Sequence, residues 1–154
     1  MKQVETELKK INPGVETRII IADFSGNANL EFYKKISQQL DDIDMSVLIL
    51  NAGVLGVGSI EEFSAKSQQE MIDTNVYHVV ILAKLLLPRL QSRKNGALIV
   101  NSSSGYLKCF PGSVVYTATK AFLTQWTEGI AIELKNSNVD VQCLCPNGTR
   151  TNII

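Results

Sequence analysis

The stretch Val47-Leu-Ile-Leu-Asn-Ala-Gly53 decides the fold of this chain of 154 residues. Its first four residues are apolar without polar alternation, which is typical of a strand buried in a parallel sheet. The Asn-Ala-Gly that follows marks the end of that strand. Similar uninterrupted runs predict three more buried strands, at residues 18–22 (RIIIA), 97–100 (ALIV) and 139–144 (VDVQCL).

Stretches with apolar residues at helical spacing separate these strands. They predict helices over residues 1–11, 30–40, about 67–90 and 115 to about 134. Strands that alternate with helices predict an α/β domain whose parallel sheet is covered on both faces. Because no linker or repeat interrupts the pattern, we expect residues 1–154 to form one domain, with any ligand outside the carboxyl ends of the strands.

The composition excludes several classes of protein. Hydrophobic residues make up 45% of the chain and charged residues 19%, which excludes a disordered protein. Fifteen basic side chains balance fifteen acidic ones, so neither nucleic acid nor an anionic membrane is the expected partner. The longest apolar stretch, residues 79–87, is interrupted by Lys84 and is shorter than the about 20 residues of a membrane span. An N-terminus without an apolar segment and an odd number of cysteines, three, predict an intracellular protein with reduced thiols.

Tyr116 and Lys120 stand four residues apart near the start of the last predicted helix, so both project from one face of it. A phenol loses its proton only near about pH 10. A neighbouring ammonium stabilises the phenolate, which makes a tyrosine usable as a general acid or base. Ser103 lies where the third predicted strand ends, and we expect its hydroxyl beside the phenol. A tyrosine and a lysine four residues apart are common in helices. The serine-rich strand end that precedes this pair makes the pattern more specific.

These residues, with three further motifs, resemble the classical short-chain dehydrogenase/reductase family. The matching segments, in the order and spacing of the family, are Asn51-Ala-Gly53, Asp73-Thr-Asn-Val76, Val100-Asn-Ser-Ser103, Tyr116-Thr-Ala-Thr-Lys120 and Pro146-Asn-Gly-Thr-Arg-Thr151. The stretches VETRIIIADF, SSSGYLKCFPG and YTATKAFL are most similar to the branch of very-long-chain 3-oxoacyl-CoA reductases and 17β-hydroxysteroid dehydrogenases.

The resemblance implies an oxidoreductase that interconverts a ketone and a secondary alcohol on a lipid-like substrate, 3-oxoacyl or steroid. Tyr116 would exchange a proton with the substrate oxygen, and Ser103 would orient that oxygen. Lys120 would stabilise the phenolate and bind the nicotinamide ribose. Asn75 would hold a water molecule that links Lys120 to solvent.

The resemblance also implies a nicotinamide cofactor, NADP or NAD, with NADP(H) favoured. The residues implied in its binding are Asp23, Asn51, Ala52, Gly53, Tyr116, Lys120, Pro146, Thr149 and Thr151. Two alternatives stay open for Asp23, which either contacts the adenine or caps the turn that follows it. The residues that would distinguish NADP from NAD follow the second strand of the family, which this chain does not contain.

The sequence departs from the family at the glycine-rich turn Thr-Gly-x-x-x-Gly-x-Gly, which is absent. The glycines at 53, 56 and 58 follow the wrong strand at the wrong spacing, and we interpret them as a flexible loop. We therefore expect a partial NAD(P)-binding, Rossmann-like doubly wound domain, a fragment that lacks the first two strands and the C-terminal lid. Residues 18–22 would then have no strand partner, and residues 47–50 would form an exposed edge.

Two functions stay open from the sequence: the oxidoreductase, and a catalytically inactive fragment or nucleotide-fold binding module. No metal site is expected, because His78 has no second ligand at suitable spacing and is interpreted as a packed histidine. The expected partners are a small carbonyl or alcohol substrate and a second copy bound through the long helices, with no nucleic acid and no membrane contact from this segment. The cytoplasm and association with the endoplasmic reticulum are both open as the location.

Overall fold

The computed structural model of the chain describes residues 2–26 and 29–149. The helices are α1 (Lys2–Ile11), α2 (Leu30–Gln38), α3 (Ala65–Ile72), α4 (His78–Gln91) and α5 (Val114–Glu133), and the strands are β1 (Val47–Leu50), β2 (Gly96–Asn101) and β3 (Val139–Leu144). All four predicted helices and three of the four predicted strands are confirmed, with ends that differ from the predictions by no more than a few residues.

The three strands form one parallel sheet in the order β1-β2-β3. Leu50 pairs with Val100, and Val100 pairs with Cys143. The long helix between β1 and β2 and the helix α5 between β2 and β3 provide the crossover connections that parallel strands need. All three carboxyl ends therefore lie at the same edge of the sheet, as the sequence predicts.

The core lies between one face of the sheet and the helices α4 and α5. Alternate residues of the strands point to this face and are buried, among them Leu50, Leu98 and Val139. The buried face of α4 supplies Leu82, Leu86 and Leu90, and α5 supplies Leu123. Tyr33 of α2 is fully buried and belongs to the same core cluster.

The opposite face of the sheet is open in the part of the chain that the structure describes. Val47, Ile49 and Leu144 point to this face and are 48%, 60% and 40% exposed. The expectation of helices on both faces is therefore wrong for residues 2–26 and 29–149. The apolar runs indicate that both faces of the strands are suited to burial. They do not indicate which segment of the chain covers each face. The prediction that residues 47–50 form an edge strand is confirmed.

The predicted strand at residues 18–22 is wrong, because these residues form neither a helix nor a strand. Ile19 is 38% and Ile21 is 90% exposed. The segment is held instead by Arg18, whose guanidinium bonds both carboxylate oxygens of Asp42 at 2.6 Å and the Gln39 carbonyl at 2.8 Å. A β-branched run becomes a strand only where a neighbouring strand takes up its backbone hydrogen bonds, and β1 does not pair with it.

The long helix runs continuously over residues 65–91, and a π-helical turn, Asp73–Tyr77, separates α3 from α4. By length and composition this helix could cross a membrane. A core helix passes the same test, and here the apolar face of α4 packs on the sheet. The π-helical turn lies near the carboxyl ends of the strands, and such turns are frequent at functional sites.

His78, the single histidine of the chain, is a core residue. It is 1% exposed, and its ring stacks on Phe24 with the centroids 4.6 Å apart. The interpretation as a packed histidine is confirmed. Burial lowers the pKa of His78 to about 4, and the positive charge of Lys120 acts in the same direction.

The depressed pKa of His78 predicts that acid destabilises the fold. Between the ordinary pKa of 6.5 and about 4, the unfolded chain binds a proton that the folded chain does not, so the free energy of unfolding falls as the pH falls. From pH 7 to pH 5 the expected loss from this residue is about 2 kcal/mol. Urea unfolding of the wild type and of His78→Phe at both pH values measures it. An equal loss in both proteins would contradict the assignment to His78.

Candidate functional site

A cleft of about 1220 Å³ opens at the carboxyl ends of the strands. Its walls come from the segments that follow each strand and from the first two turns of α5. Seven of the residues predicted for the site line this cleft: Asn51, Gly53, Ser103, Tyr116, Lys120, Pro146 and Thr149. The structure thus brings together residues that are separated by up to about a hundred positions in the sequence.

Tyr116 and Lys120 lie on the first turns of α5, on the face turned towards the sheet. The Lys120 Nζ atom lies 5.8 Å from the centroid of the Tyr116 ring. Within the described residues, no group hydrogen-bonds to the Tyr116 hydroxyl. A phenol beside an ammonium, with its hydroxyl available in a cleft, has the arrangement that general acid–base chemistry needs.

Lys120 is largely buried, with 4% of the residue exposed, and it lines the cleft. It donates one hydrogen bond, of 2.9 Å, to the Asn101 carbonyl at the end of β2. Burial lowers the pKa of Lys120. An ammonium carries three donors, so two remain for a ligand that enters the cleft.

Ser103 follows β2 and caps the short 3₁₀ helix Ser104–Leu107, with its Oγ atom accepting a bond of 3.1 Å from the Gly105 N–H. A Cβ placed on Gly105 would lie 3.4 Å from Ser103 Oγ and 3.8 Å from Tyr116 Cε1. The Ser103 hydroxyl and the edge of the Tyr116 ring therefore both lie next to Gly105, and both residues line the cleft. The Ser103 proton remains available, because the cap uses only its oxygen.

Asn75 lies behind the cleft in the π-helical turn and is fully buried. Its Oδ1 accepts from the Val54 N–H at 2.7 Å, and its Nδ2 donates to the Val54 carbonyl and to Thr119 Oγ1, each at 3.0 Å. One side chain thus joins the loop after β1 to α5. The structure assigns Asn75 this positioning contact; its implied role with a water molecule stays a prediction.

The glycines after β1 serve close packing. A Cβ on Gly53 would lie 3.3 Å from Asn75 Oδ1 and 3.5 Å from Lys120 Nζ, so only glycine leaves this corner of the cleft open. A Cβ on Gly56 would approach Met71 Cε to 2.6 Å. Gly58 donates a backbone bond of 2.8 Å to Gly112, which ties this loop to the one before α5. The loop is packed at these points, and the earlier interpretation as simply flexible does not describe them.

Two further predicted site residues do not line the cleft, and a third lies outside the described residues. Asp23 accepts hydrogen bonds from the Ser25 N–H and hydroxyl, and these bonds lower the pKa of Asp23. The structure shows the turn cap, and the contact with the adenine stays a prediction. Ala52 is exposed between two lining residues but does not line the cleft. Thr151 lies outside the described residues.

The sequence analysis missed three residues that hold the site together. The Asn101 carbonyl binds Lys120, and Thr119 binds Asn75, as given above. Ser102 is 2% exposed and donates from Oγ to the Lys120 carbonyl at 2.8 Å, with Thr124 Oγ1 also at 2.8 Å. Buried hydroxyls at helical spacing on α5 were the available signal, since a polar residue on a buried face needs a partner.

The parallel sheet with its polar cleft defines an α/β protein of the Rossmann-like class. A sequence model described as short chain dehydrogenase matches residues 1–154, and the chain belongs to this family. Among curated relatives, the very-long-chain 3-oxoacyl-CoA reductase of Coccidioides immitis is 31% identical over 145 residues, covering 92% of this chain and 41% of the relative. The human inactive hydroxysteroid dehydrogenase-like protein 1 is also 31% identical, covering 86% of this chain and 40% of the relative.

Solved structures agree with the family assignment. The closed form of serine dehydrogenase complexed with NADP⁺ matches with a TM-score of 0.78 at 26% identity, covering 95% of this chain and 59% of that one. Compared with the two curated relatives named above, the chain spans about two fifths of their length.

Proposed function

We propose that this chain carries the proton-transfer and nicotinamide-ribose-binding part of an oxidoreductase that interconverts a ketone and a secondary alcohol. The observation that carries the proposal is the shared cleft, which Ser103, Tyr116 and Lys120 all line, with the Ser103 hydroxyl and the Tyr116 ring edge next to Gly105 and the Lys120 ammonium 5.8 Å from the centroid of the Tyr116 ring. Membership of the short-chain dehydrogenase family supports it.

In the reduction direction, the Tyr116 hydroxyl donates its proton to the carbonyl oxygen of the substrate. The Ser103 hydroxyl donates a hydrogen bond to the same oxygen and fixes its position. The Lys120 ammonium favours the phenolate that remains after the transfer. A bound nicotinamide cofactor supplies the hydride that the carbonyl carbon accepts.

The described residues fit the nicotinamide–ribose part of such a cofactor. Lys120 offers two unused donors to ribose hydroxyls, and Gly53 leaves room for them beside it. Among the residues of the described cleft, Lys120 carries the one charged side chain. We propose NADP(H) as the favoured form; the solved serine dehydrogenase holds NADP⁺.

We propose a lipid-like substrate, a 3-oxoacyl thioester or a steroid ketone. The wall of the cleft includes the apolar residues Val54, Leu55 and Phe110, and Phe110 is 50% exposed. An apolar wall around a few hydroxyls suits a substrate with one carbonyl and a large hydrocarbon body. The name of the Coccidioides relative points to the same substrate class.

The proposal predicts different effects on cofactor binding at Tyr116 and Lys120. Lys120→Ala removes the ribose donors and is expected to weaken NADPH binding about tenfold to a hundredfold, the equivalent of one or two hydrogen bonds to a charged group. Tyr116→Phe removes only a hydroxyl that acts on the substrate, so the Kd is expected to change less than about threefold. Fluorescence titration with NADPH and with NADH measures both.

Lys84→Ala, on an exposed position of α4, is the matched control for loss of a lysine. If the wild type and Lys120→Ala bound NADPH with equal affinity, the role of Lys120 in binding the ribose would be refuted. No measurable binding of either cofactor by the wild type would favour a different function, a catalytically inactive binding module. The similarity to a human relative named inactive supports that second candidate.

A further inference from the structure

Two cysteines meet at the carboxyl end of β3, outside the proposed catalytic groups. Cys143 is half-buried and Cys145 is exposed, and their sulfur atoms lie 3.7 Å apart. Both thiols also contact the hydroxyl of Thr124 on α5, at 3.9 Å and 4.0 Å. The third cysteine, Cys109, lies exposed on another loop.

We propose that Cys143 and Cys145 form a reversible intramolecular disulfide that changes the shape of the cleft. In a strand, residues two apart lie about 6.5 Å apart at their Cα atoms, at the upper end of the about 4.4–6.8 Å that a disulfide spans. The bond can therefore form, but under strain. Strained, accessible disulfides are the readily reduced ones, which is the property of a reversible modification.

The oxidant is a small disulfide such as oxidised glutathione. The Cys145 thiolate attacks one sulfur of that disulfide, forms a mixed disulfide and releases one glutathione thiolate. The Cys143 thiolate then attacks the Cys145 sulfur and releases the second. Two protein thiols are oxidised, their two protons pass to solvent or to the released thiolates, and one glutathione disulfide is reduced to two thiols.

The environment of the two thiols supports this order. Burial raises the pKa of Cys143, so this thiol is the slower to react with an oxidant from solution. Cys145 lines the cleft and meets the oxidant first. The neighbouring sulfur then needs to move by less than about 2 Å to reach the bond length of about 2.05 Å.

The pair is connected to the proposed catalytic groups by short contacts. The Thr124 hydroxyl that touches both sulfurs also lies 2.8 Å from Ser102 Oγ, which bonds the Lys120 carbonyl. The Pro146 carbonyl, next to Cys145, accepts a bond of 2.9 Å from the Ser104 N–H. Closing the disulfide therefore pulls on the chain at Cys145 and Pro146, where it forms one wall of the cleft.

Mass spectrometry after tryptic digestion tests the disulfide directly. Trypsin leaves both cysteines in the peptide 136–150 and Cys109 in the peptide 109–120. After treatment of the reduced chain with oxidised glutathione, peptide 136–150 is expected to lose about 2 Da and to regain it with dithiothreitol. Cys143→Ser should instead keep a glutathione adduct of about 305 Da on this peptide, since no second thiol displaces it. Cys109→Ser is the matched control and should form the disulfide normally.

Three results would overturn the proposal. The first is a pair of glutathione adducts on peptide 136–150 without ring closure. The second is no reaction on that peptide while Cys109 reacts. The third is a disulfide that forms no more readily in the native chain than in concentrated guanidinium chloride, because the sulfur contact of the fold would then contribute nothing.

The effect on the cleft is measured separately and rests on the proposed function. NADPH binding is expected to weaken about tenfold in the oxidised wild type and to stay unchanged in Cys143→Ser/Cys145→Ser under the same treatment. Equal loss in both proteins would show that the disulfide does not act on the cleft. Absence of NADPH binding in the reduced wild type would contradict the proposed function and leave the mass measurement valid.

Discussion

Tyr116→Phe is expected to lower the rate of ketone reduction by about 10²–10⁴-fold, the range that general acid–base catalysis contributes. The substitution keeps the ring that packs at the start of α5 and removes only the hydroxyl. Because Ser103 still orients the carbonyl oxygen, the expected loss falls on kcat with little change in KM for the cofactor. The oxidation of NADPH by a long-chain 3-oxoacyl-CoA, and separately by a steroid ketone, gives the rate.

Tyr106→Phe is the control for this substitution, since Tyr106 lies in the short 3₁₀ helix beside Ser103 but does not line the cleft. Its rate should stay within about twofold of the wild type, because surface changes away from special contacts are small. If Tyr116→Phe retained the wild-type rate, another group would have to supply the proton, and the central role of the phenol would be wrong.

Asn75→Ala is expected to lower the free energy of unfolding by about 3–5 kcal/mol, because it removes three hydrogen bonds made by one buried side chain. The amide of Asn75 binds the N–H and the carbonyl of Val54 as well as the hydroxyl of Thr119. The Asn75 side chain is fully buried and Thr119 is 4% exposed, so the bond between these two side chains is shielded from water. Chemical denaturation followed by circular dichroism measures the loss.

Asn136→Ala, in the exposed turn after α5, serves as the comparison and should change stability by less than about 0.5 kcal/mol. A loss below about 1 kcal/mol in Asn75→Ala would contradict the stabilising role of these bonds, since even one unsatisfied buried group costs that much.

The sequence predicted most of the fold because its signals are local. The run Val47–Leu50 and the helical spacing of residues 115–134 depend on neighbours within a few positions, and both were confirmed. The run at 18–22 has an equally strong local signal and failed, because strand formation depends on a partner strand that local sequence does not describe. The open face of the sheet beside Ile49 has a similar explanation, because the local sequence does not describe the segment that would cover that face.

The sequence indicated which residues belong to the candidate site better than it indicated the hydrogen bonds between them. Tyr116 and Lys120 follow from their spacing, and Ser103 from its place at a strand end. That Asn75 bonds the Val54 backbone does not follow, because two distant segments must first be brought together. The Ser102 contact with α5 was missed for the same reason, since a serine in a serine-rich stretch has no distinctive local pattern.

The hydrogen bonds that hold the cleft together join segments far apart in the sequence, and this determines when the cleft can form during synthesis. Asn75 and Thr119 are separated by 44 positions, and Lys120 bonds Asn101 across 19. The Ser102 N–H bonds the Leu144 carbonyl, near the end of the described residues. Contacts between distant segments carry a large loop-closure entropy and slow folding. During synthesis, the ribosome must therefore release nearly all of these residues before the cleft exists, and until then the Lys120 ammonium remains in water.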